Sequence, residues 1–297
     1  MKIKLKYIVP VQNTLGEGVL WDGRSGAFWW TDIQNCKLHR FILENEKLDI
    51  FQTPERLCAF GFTDEEGLLV AAFESGYASF RPETGDIQWI RKPFDGVEGL
   101  RFNDGRVDPA GRFWCGTMAE DGKSETIQKS KLFCLNEAME VSAHISDIHI
   151  ANSLCWSPDG KYMYFADSPK QQIQRYDFDM ANGACSNARI FASTTGSIAP
   201  DGSVTDAQGY LWNAQWDGSR VVRYAPDGTI DFILEMPVSQ PTCVAFGGPS
   251  LDLLCITTAQ ENLSDDALKS QPQAGNLFIY QVDANGLPAP MFKGKLS

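Results

Sequence analysis

A six-bladed β-propeller is the fold the sequence predicts: an all-β ring of four-stranded antiparallel blades around a central channel. Three observations predict it. First, one pattern recurs six times, an apolar strand running into a turn and continuing as a second apolar strand. The copies are EGVLWDGRSGAFWW from Glu17, AFGFTDEEGLLVAA from Ala59, NDGRVDPAGRFWCG from Asn103, NSLCWSPDGKYMYF from Asn152, DGSVTDAQGYLWNA from Asp201 and TCVAFGGPSLDLLC from Thr242. Second, the copies lie roughly 40–50 residues apart, the length of a four-stranded blade. Third, the turns pair an Asp or Ser with a Gly three or four residues later: Asp22/Gly26, Asp64/Gly67, Asp108/Gly111, Ser157/Gly160 and Asp206/Gly209. Asp and Ser side chains bond their own local backbone and Gly supplies positive φ, so these are tight hairpin turns.

The remaining strands follow in order. A third strand is expected after each hairpin, as in CKLHRFIL, SGYASFRP, SKLFCLN, QQIQRYDF, SRVVRYAP and GNLFIYQV. A weaker fourth strand, such as LDIFQT or TIDFILEMP, completes the unit. The N-terminal segment Ile3–Val9 alternates polar and apolar residues and is expected to add a strand to the last blade, joining the chain ends and hiding edges. The polar stretch Asp121–Lys131 reads as a loop extending the third blade, and long helices are not expected. No composition break or Pro/Ser-rich linker interrupts the repeat, so residues 1–297 are read as a single domain.

Composition narrows the function. Hydrophobic residues make up 43% of the chain, and the net charge is -12. Nucleic acid requires basic stripes to neutralise phosphate, and an anionic membrane surface is an equally poor match, so neither is an expected partner. No apolar run approaches the roughly 18 residues of a membrane span. The start, MKIKLKYIVPVQN, lacks the apolar core of a signal peptide. Eight cysteines are scattered singly, mostly within apolar strands and never as CxxC, which fits reduced, packed thiols. A cytoplasmic monomer acting on a small molecule is the expectation.

Most familiar catalytic devices are missing. The three histidines, His39, His144 and His149, show no HExxH or HxH spacing. There is no GxSxG elbow, Walker loop or dinucleotide fingerprint. What remains is oxygen chemistry. Four of the six residues that lead the repeats, Glu17, Asn103, Asn152 and Asp201, carry side chains that hard cations bind. The innermost strand of each blade lines the channel, so these positions are expected to converge near one of its ends. Glu17, Asn152 and Asp201 make a doubly negative donor set suited to Ca²⁺, Mg²⁺, Mn²⁺, Fe²⁺ or Zn²⁺. Taken singly, each is an ordinary turn or cap residue; their shared place in the repeat argues for one site. Arg101, two residues before Asn103 and on the same side of an extended strand, adds donors for substrate hydroxyls or a carbonyl.

These segments resemble the SMP-30/gluconolactonase/LRE family, which includes regucalcin and bacterial sugar lactonases, over nearly the whole chain. LGEGVLWD at Leu15–Asp22, RFNDGRVDPAGRFWCGTM, ANSLCWSPDGKYMYFADS and APDGSVTDAQGYLW carry the likeness, the second being the most specific; QPQAGNLFIY resembles the last blade. The resemblance implies a metal-binding role for Glu17, Asn152 and Asp201, and substrate binding by Arg101, Asn103 and, on the lid side, Asp121 after Glu120. The GEG and ANSL motifs stand where animal members have GESP and SNGL, which favours a bacterial-type sugar lactonase. The expected reaction is metal-dependent hydrolysis of a sugar 1,4- or 1,5-lactone, with Asp201 as general base or only as a ligand. A non-catalytic calcium-binding propeller and a promiscuous esterase or organophosphatase are the alternatives.

Overall fold

Every repeat folds into one blade. In the computed structural model, which describes residues 1–296, six four-stranded antiparallel sheets are formed in the expected order. The first blade comprises Gly16–Asp22, Ala27–Asp32, Lys37–Ile42 and Lys47–Gln52. The first strands of the blades, Gly16–Asp22, Leu57–Phe62, Leu100–Val107, Ala151–Trp156, Ala199–Thr205 and Pro241–Gly247, each contact the next around a closed ring. They are therefore the channel-lining strands, all entering from one face of the propeller. In the sixth blade Ile3–Val9 pairs with Leu277–Val282 as the outermost strand, closing the ring as the sequence predicts.

The strand sequences explain the radial order. Inner strands such as LCAFGF and AFWWTD are buried along their whole length, because neighbouring blades cover both faces. Outer strands such as KLDIFQ and DIQWIR are a mixture of exposed and half-buried residues with none fully buried, because only part of each is covered. Aromatic side chains fill the seams between blades. Trp114 packs on Trp156 and Phe178 of the next blade, with ring centroids 6.1 and 5.9 Å apart. Trp212 meets Phe246 edge-on at 5.7 Å.

The turn aspartates do more than the sequence suggests. Asp206 Oδ1 accepts the Gln208 and Tyr210 amides, both at 3.0 Å, which closes the hairpin. Its Oδ2 accepts Trp212 Nε1 at 3.1 Å and Arg223 Nη2 at 2.7 Å, fully buried. Asp108 does the same for Trp114 Nε1 and Arg112 in blade three. The six-residue step from Asp to Trp thus ties the turn to the seam between blades. In blade two Thr63, rather than Asp64, bonds the turn backbone.

The stretch expected as a loop, Asp121–Lys131, contains a single helical turn, Ser124–Ile127; a second short helix, Asp265–Ser270, is capped by Ser264. All eight cysteines are free. No helix among the described residues is long and apolar enough to cross a membrane.

Replacing Asp206 by Ala leaves the buried Trp212 indole without its acceptor and Arg223 with only Asp231 and Gln208, and is expected to cost about 2–4 kcal/mol of stability. Asp227→Ala, at an exposed turn of the same blade, is expected to cost far less. Paired denaturant melts check the difference.

Candidate active site

The pairing between first and second strands slips in every blade near the channel-facing start of the first strand. The breaks fall at Glu17/Leu20, Leu57/Ala59, Phe102/Gly105, Asn152/Cys155, Pro200/Ser203 and Pro241/Val244. A bulge of this kind adds a residue and re-aims the side chains around it. Glu17 and Asn152 are the last paired residues before their bulges, while Asn103 and Asp201 lie inside theirs. The four are therefore not at one ladder position, although each precedes its turn residue by the same count.

Two bulges use left-handed backbone just after the candidate ligand. Gly18 takes φ 61°, which glycine allows at little cost. Ser153 takes φ 60°, a strained choice for a side chain, and local bonds hold it there. Its hydroxyl donates to the Asp201 carbonyl at 2.6 Å and accepts from Asn213 Nδ2 at 3.1 Å. Blade four is thereby fastened to the backbone that presents Asp201.

These residues meet in a cavity of about 280 Å³ at one end of the channel. Glu17, Arg101, Asn103, Asn152 and Asp201 all line it, with Met118, Ile150, Ser168, Trp216, Glu261 and Asn262 around them. Hydrogen bonds fix the amides. Asn103 Nδ2 donates to the Ala151 carbonyl at 2.9 Å and to Asn152 Oδ1 at 3.3 Å. Asn152 Nδ2 donates to Ser168 Oγ at 2.8 Å, and that hydroxyl donates to the Pro200 carbonyl at 2.7 Å. Arg101 Nη1 donates to Asn103 Oδ1 at 2.8 Å and Arg101 Nε to Glu120 Oε1 at 3.0 Å. Arg56 grips the same Glu120 with two bonds, of 2.7 and 2.9 Å, and also pairs with Glu74.

The electrostatics of the cavity are dominated by buried acid. Burial, and then the nearby Asp104 carboxyl, push Glu17 up to about 8. Burial, and then Glu17 itself, hold Asp201 well above the usual carboxylate range. Asp104 is raised as well, chiefly by burial. Arg101 acts in the opposite direction on Glu17, and Arg106 on Asp104, but burial outweighs both. Among the described residues no three His, Cys, Asp or Glu side chains form a metal-holding group. The donor set here is two carboxylates and the Asn152 amide.

Asp121 lies elsewhere. It is exposed, outside the cavity lining, and accepts the Lys123 amide at 3.0 Å and the Thr126 hydroxyl at 3.1 Å. Those bonds, the Lys123 amide first, hold its carboxyl below the ordinary range. Its neighbour Glu120 is the acid that reaches Arg101. Sequence reasoning missed Glu120, Asp104, Met118, Ile150, Glu261 and Asn262; only Glu120 and Asp104, each adjacent to a chosen residue, had a signal in the motifs.

Comparison with known proteins gives this geometry a lineage. Residues 15–260 match the SMP-30/Gluconolactonase/LRE-like region. The chain belongs to this family. Among its members, a 6-deoxy-6-sulfogluconolactonase from Pseudomonas putida is 35% identical over 99% of this chain and 100% of that protein. An L-arabinolactonase from Azospirillum brasilense is 36% identical over 97% of this chain and 95% of its own. The crystal structure of a calcium-binding protein, regucalcin, from Agrobacterium tumefaciens superposes with a TM-score of 0.91 at 32% identity, covering 97% of each chain.

The raised carboxyls of this family member carry a testable sign. Glu17 and Asp201 have folded pKa values above their unfolded ones, so protons stabilise the cation-free protein and that stability drains away as pH rises. For Glu17 the window runs from 4.5 to about 8. In chelator-treated protein the melting temperature is expected to fall across that window, less steeply in Glu17→Gln, as read by thermal melts at stepped pH.

Proposed function

We propose that the protein hydrolyses a sugar 1,4- or 1,5-lactone to the aldonic acid, using one divalent cation held by Glu17, Asn152 and Asp201. The observation that carries this reading is the meeting of those three oxygen donors, with Arg101 and Asn103 beside them, in one cavity. The names of the Pseudomonas and Azospirillum relatives support lactone chemistry. The chain's residues suit a hard cation: both carboxyls are buried and neither forms an ion pair among the described residues, and the Asn152 amide nitrogen is committed to Ser168. Ca²⁺, Mg²⁺, Mn²⁺, Fe²⁺ and Zn²⁺ all match oxygen donors of this kind.

When bound, the cation supplies Lewis-acid polarisation of the lactone carbonyl and counter-charge for the oxyanion that forms. With that counter-charge present Asp201 is ionised, and its carboxylate takes a proton from the attacking water. The new C–O bond forms at the carbonyl carbon, the ring C–O bond breaks, and the proton passes to the departing ring oxygen as a hydroxyl. Arg101, steadied by Glu120 and Asn103, orients the sugar hydroxyls, and the Asn103 amide holds the Asn152 carbonyl oxygen in place. Asp121 has no direct contact with substrate in this scheme. A cavity of about 280 Å³ suits the single five- or six-membered lactone ring of one sugar.

The calcium-binding name of the Agrobacterium structure favours one second reading, a cation-binding propeller without turnover. Chelator-stripped protein, with divalent metals restored one at a time against pentono- and hexonolactones, separates the two. The lactonase reading predicts metal-restored hydrolysis; cation binding with no hydrolysis of any lactone contradicts it. In the active metal form Asp201→Asn is expected to lose at least about 100-fold in kcat. Retained cation affinity in that variant assigns Asp201 the base role, and lost affinity assigns it to ligation alone.

A further inference from the structure

The channel has a second cavity at its other end, and its chemistry is the reverse of the first. It measures about 480 Å³ and is lined by the far ends of the inner strands, including Leu20, Val107, Trp156, Val204 and Phe246. Its roof is residues 287–290, part of the tail that follows the last strand. The tail is fastened at both sides of the opening. The Gly286 amide donates to the Leu251 carbonyl at 2.7 Å, and the Phe292 and Lys293 amides donate to Phe62 and Gly111 at 2.8 and 3.0 Å.

The protein carries 38 acidic residues, yet none lines this cavity. Its one charged group is Arg106. Arg106 Nε is buried without a hydrogen-bond partner, and Nη2 reaches only the Cys243 thiol, at 3.7 Å. Asp104 feels the guanidinium through space, while its Oδ2 accepts the Leu154 amide at 2.9 Å. Trp156 Nε1, from the same wall, is also buried without an acceptor. Buried donors normally find acceptors, and an unpaired guanidinium in an apolar chamber is an open anion seat. The size and the apolar lining around one charged group are those of a small-molecule site.

We propose that this chamber binds an organic monoanion with an apolar body, a medium-chain or aryl carboxylate. The carboxylate meets Arg106, and the hydrocarbon lies against Trp156, Phe246 and the tail. An aldonate is the wrong ligand, because its hydroxyls find few partners among these walls. The upper cavity is wrong for such an anion, because Glu17, Asp201 and Glu261 face it.

Titration calorimetry on the full-length protein tests this with octanoate, 1-octanol and gluconate as probes. The expected result is saturable one-site binding of octanoate, at least about tenfold tighter than octanol, with no competition from gluconate. Arg106→Leu removes the charge, and Ala289→Trp fills the chamber from its roof while leaving Arg106 in place. Each is expected to weaken octanoate at least about tenfold. Thermal melts establish that each variant is folded; if Arg106→Leu is not, Ala289→Trp and the octanol comparison decide. Absence of saturable octanoate binding, undiminished binding in either folded variant, octanol binding as tight as octanoate, or displacement by gluconate overturns the proposal.

Discussion

Two carboxyls held out of water at the bulges of the first and fifth blades, Glu17 and Asp201, set the terms for the rest of the molecule. Burial raises both, Glu17 raises Asp201 further, and Asp104 raises each of them. Burying acid without an ion-pair partner is among the more costly things a fold can do. Here the cost is met by rigid surroundings: a ring of six blades closed by the N-terminal strand, seams filled with indole rings, and turn aspartates locked onto those same indoles. Ser153 accepts a left-handed backbone to hold the Asp201 carbonyl. Strain and unpaired acid coincide at one end of the channel, where a functional site is expected to hold both.

The channel consequently has two unlike ends built from the same six strands. Where the strands begin, bulges turn oxygen donors inward and Arg101 is restrained by Glu120, which Arg56 grips in turn. Where they finish, regular pairing returns and the inward side chains are apolar, with Arg106 the lone charge. One strand, Leu100–Val107, supplies Arg101 and Asn103 to the first end and Arg106 to the second. The propeller itself chooses neither chemistry; the residues at its two mouths do.

Much of this was legible in the sequence, and the limits are physical. Strand order, blade count and the role of Ile3–Val9 follow from periodicity and turn chemistry, which are local. Glu17, Arg101, Asn103, Asn152 and Asp201 were found because they recur at matched places in the repeat or in its motifs. The bulges were not legible: counting from the turns makes Asn103 and Glu17 equivalent, while the ladder sets them one residue apart. Asp121 was chosen on resemblance alone, and its carboxylate is spent on its own turn at Lys123 and Thr126. Glu261 and Asn262 sit on a connection outside the repeat, so no periodic signal points to them. The far cavity depends on where the tail crosses, which no local pattern encodes.

The central claim is that Glu17, Asn152 and Asp201 form a single cation site. Its most direct test is anomalous diffraction from crystals soaked in Mn²⁺. The account predicts one strong peak within about 2.0–2.6 Å of oxygen atoms from all three side chains. A map with no peak there, or with its strongest peak at other residues, contradicts it.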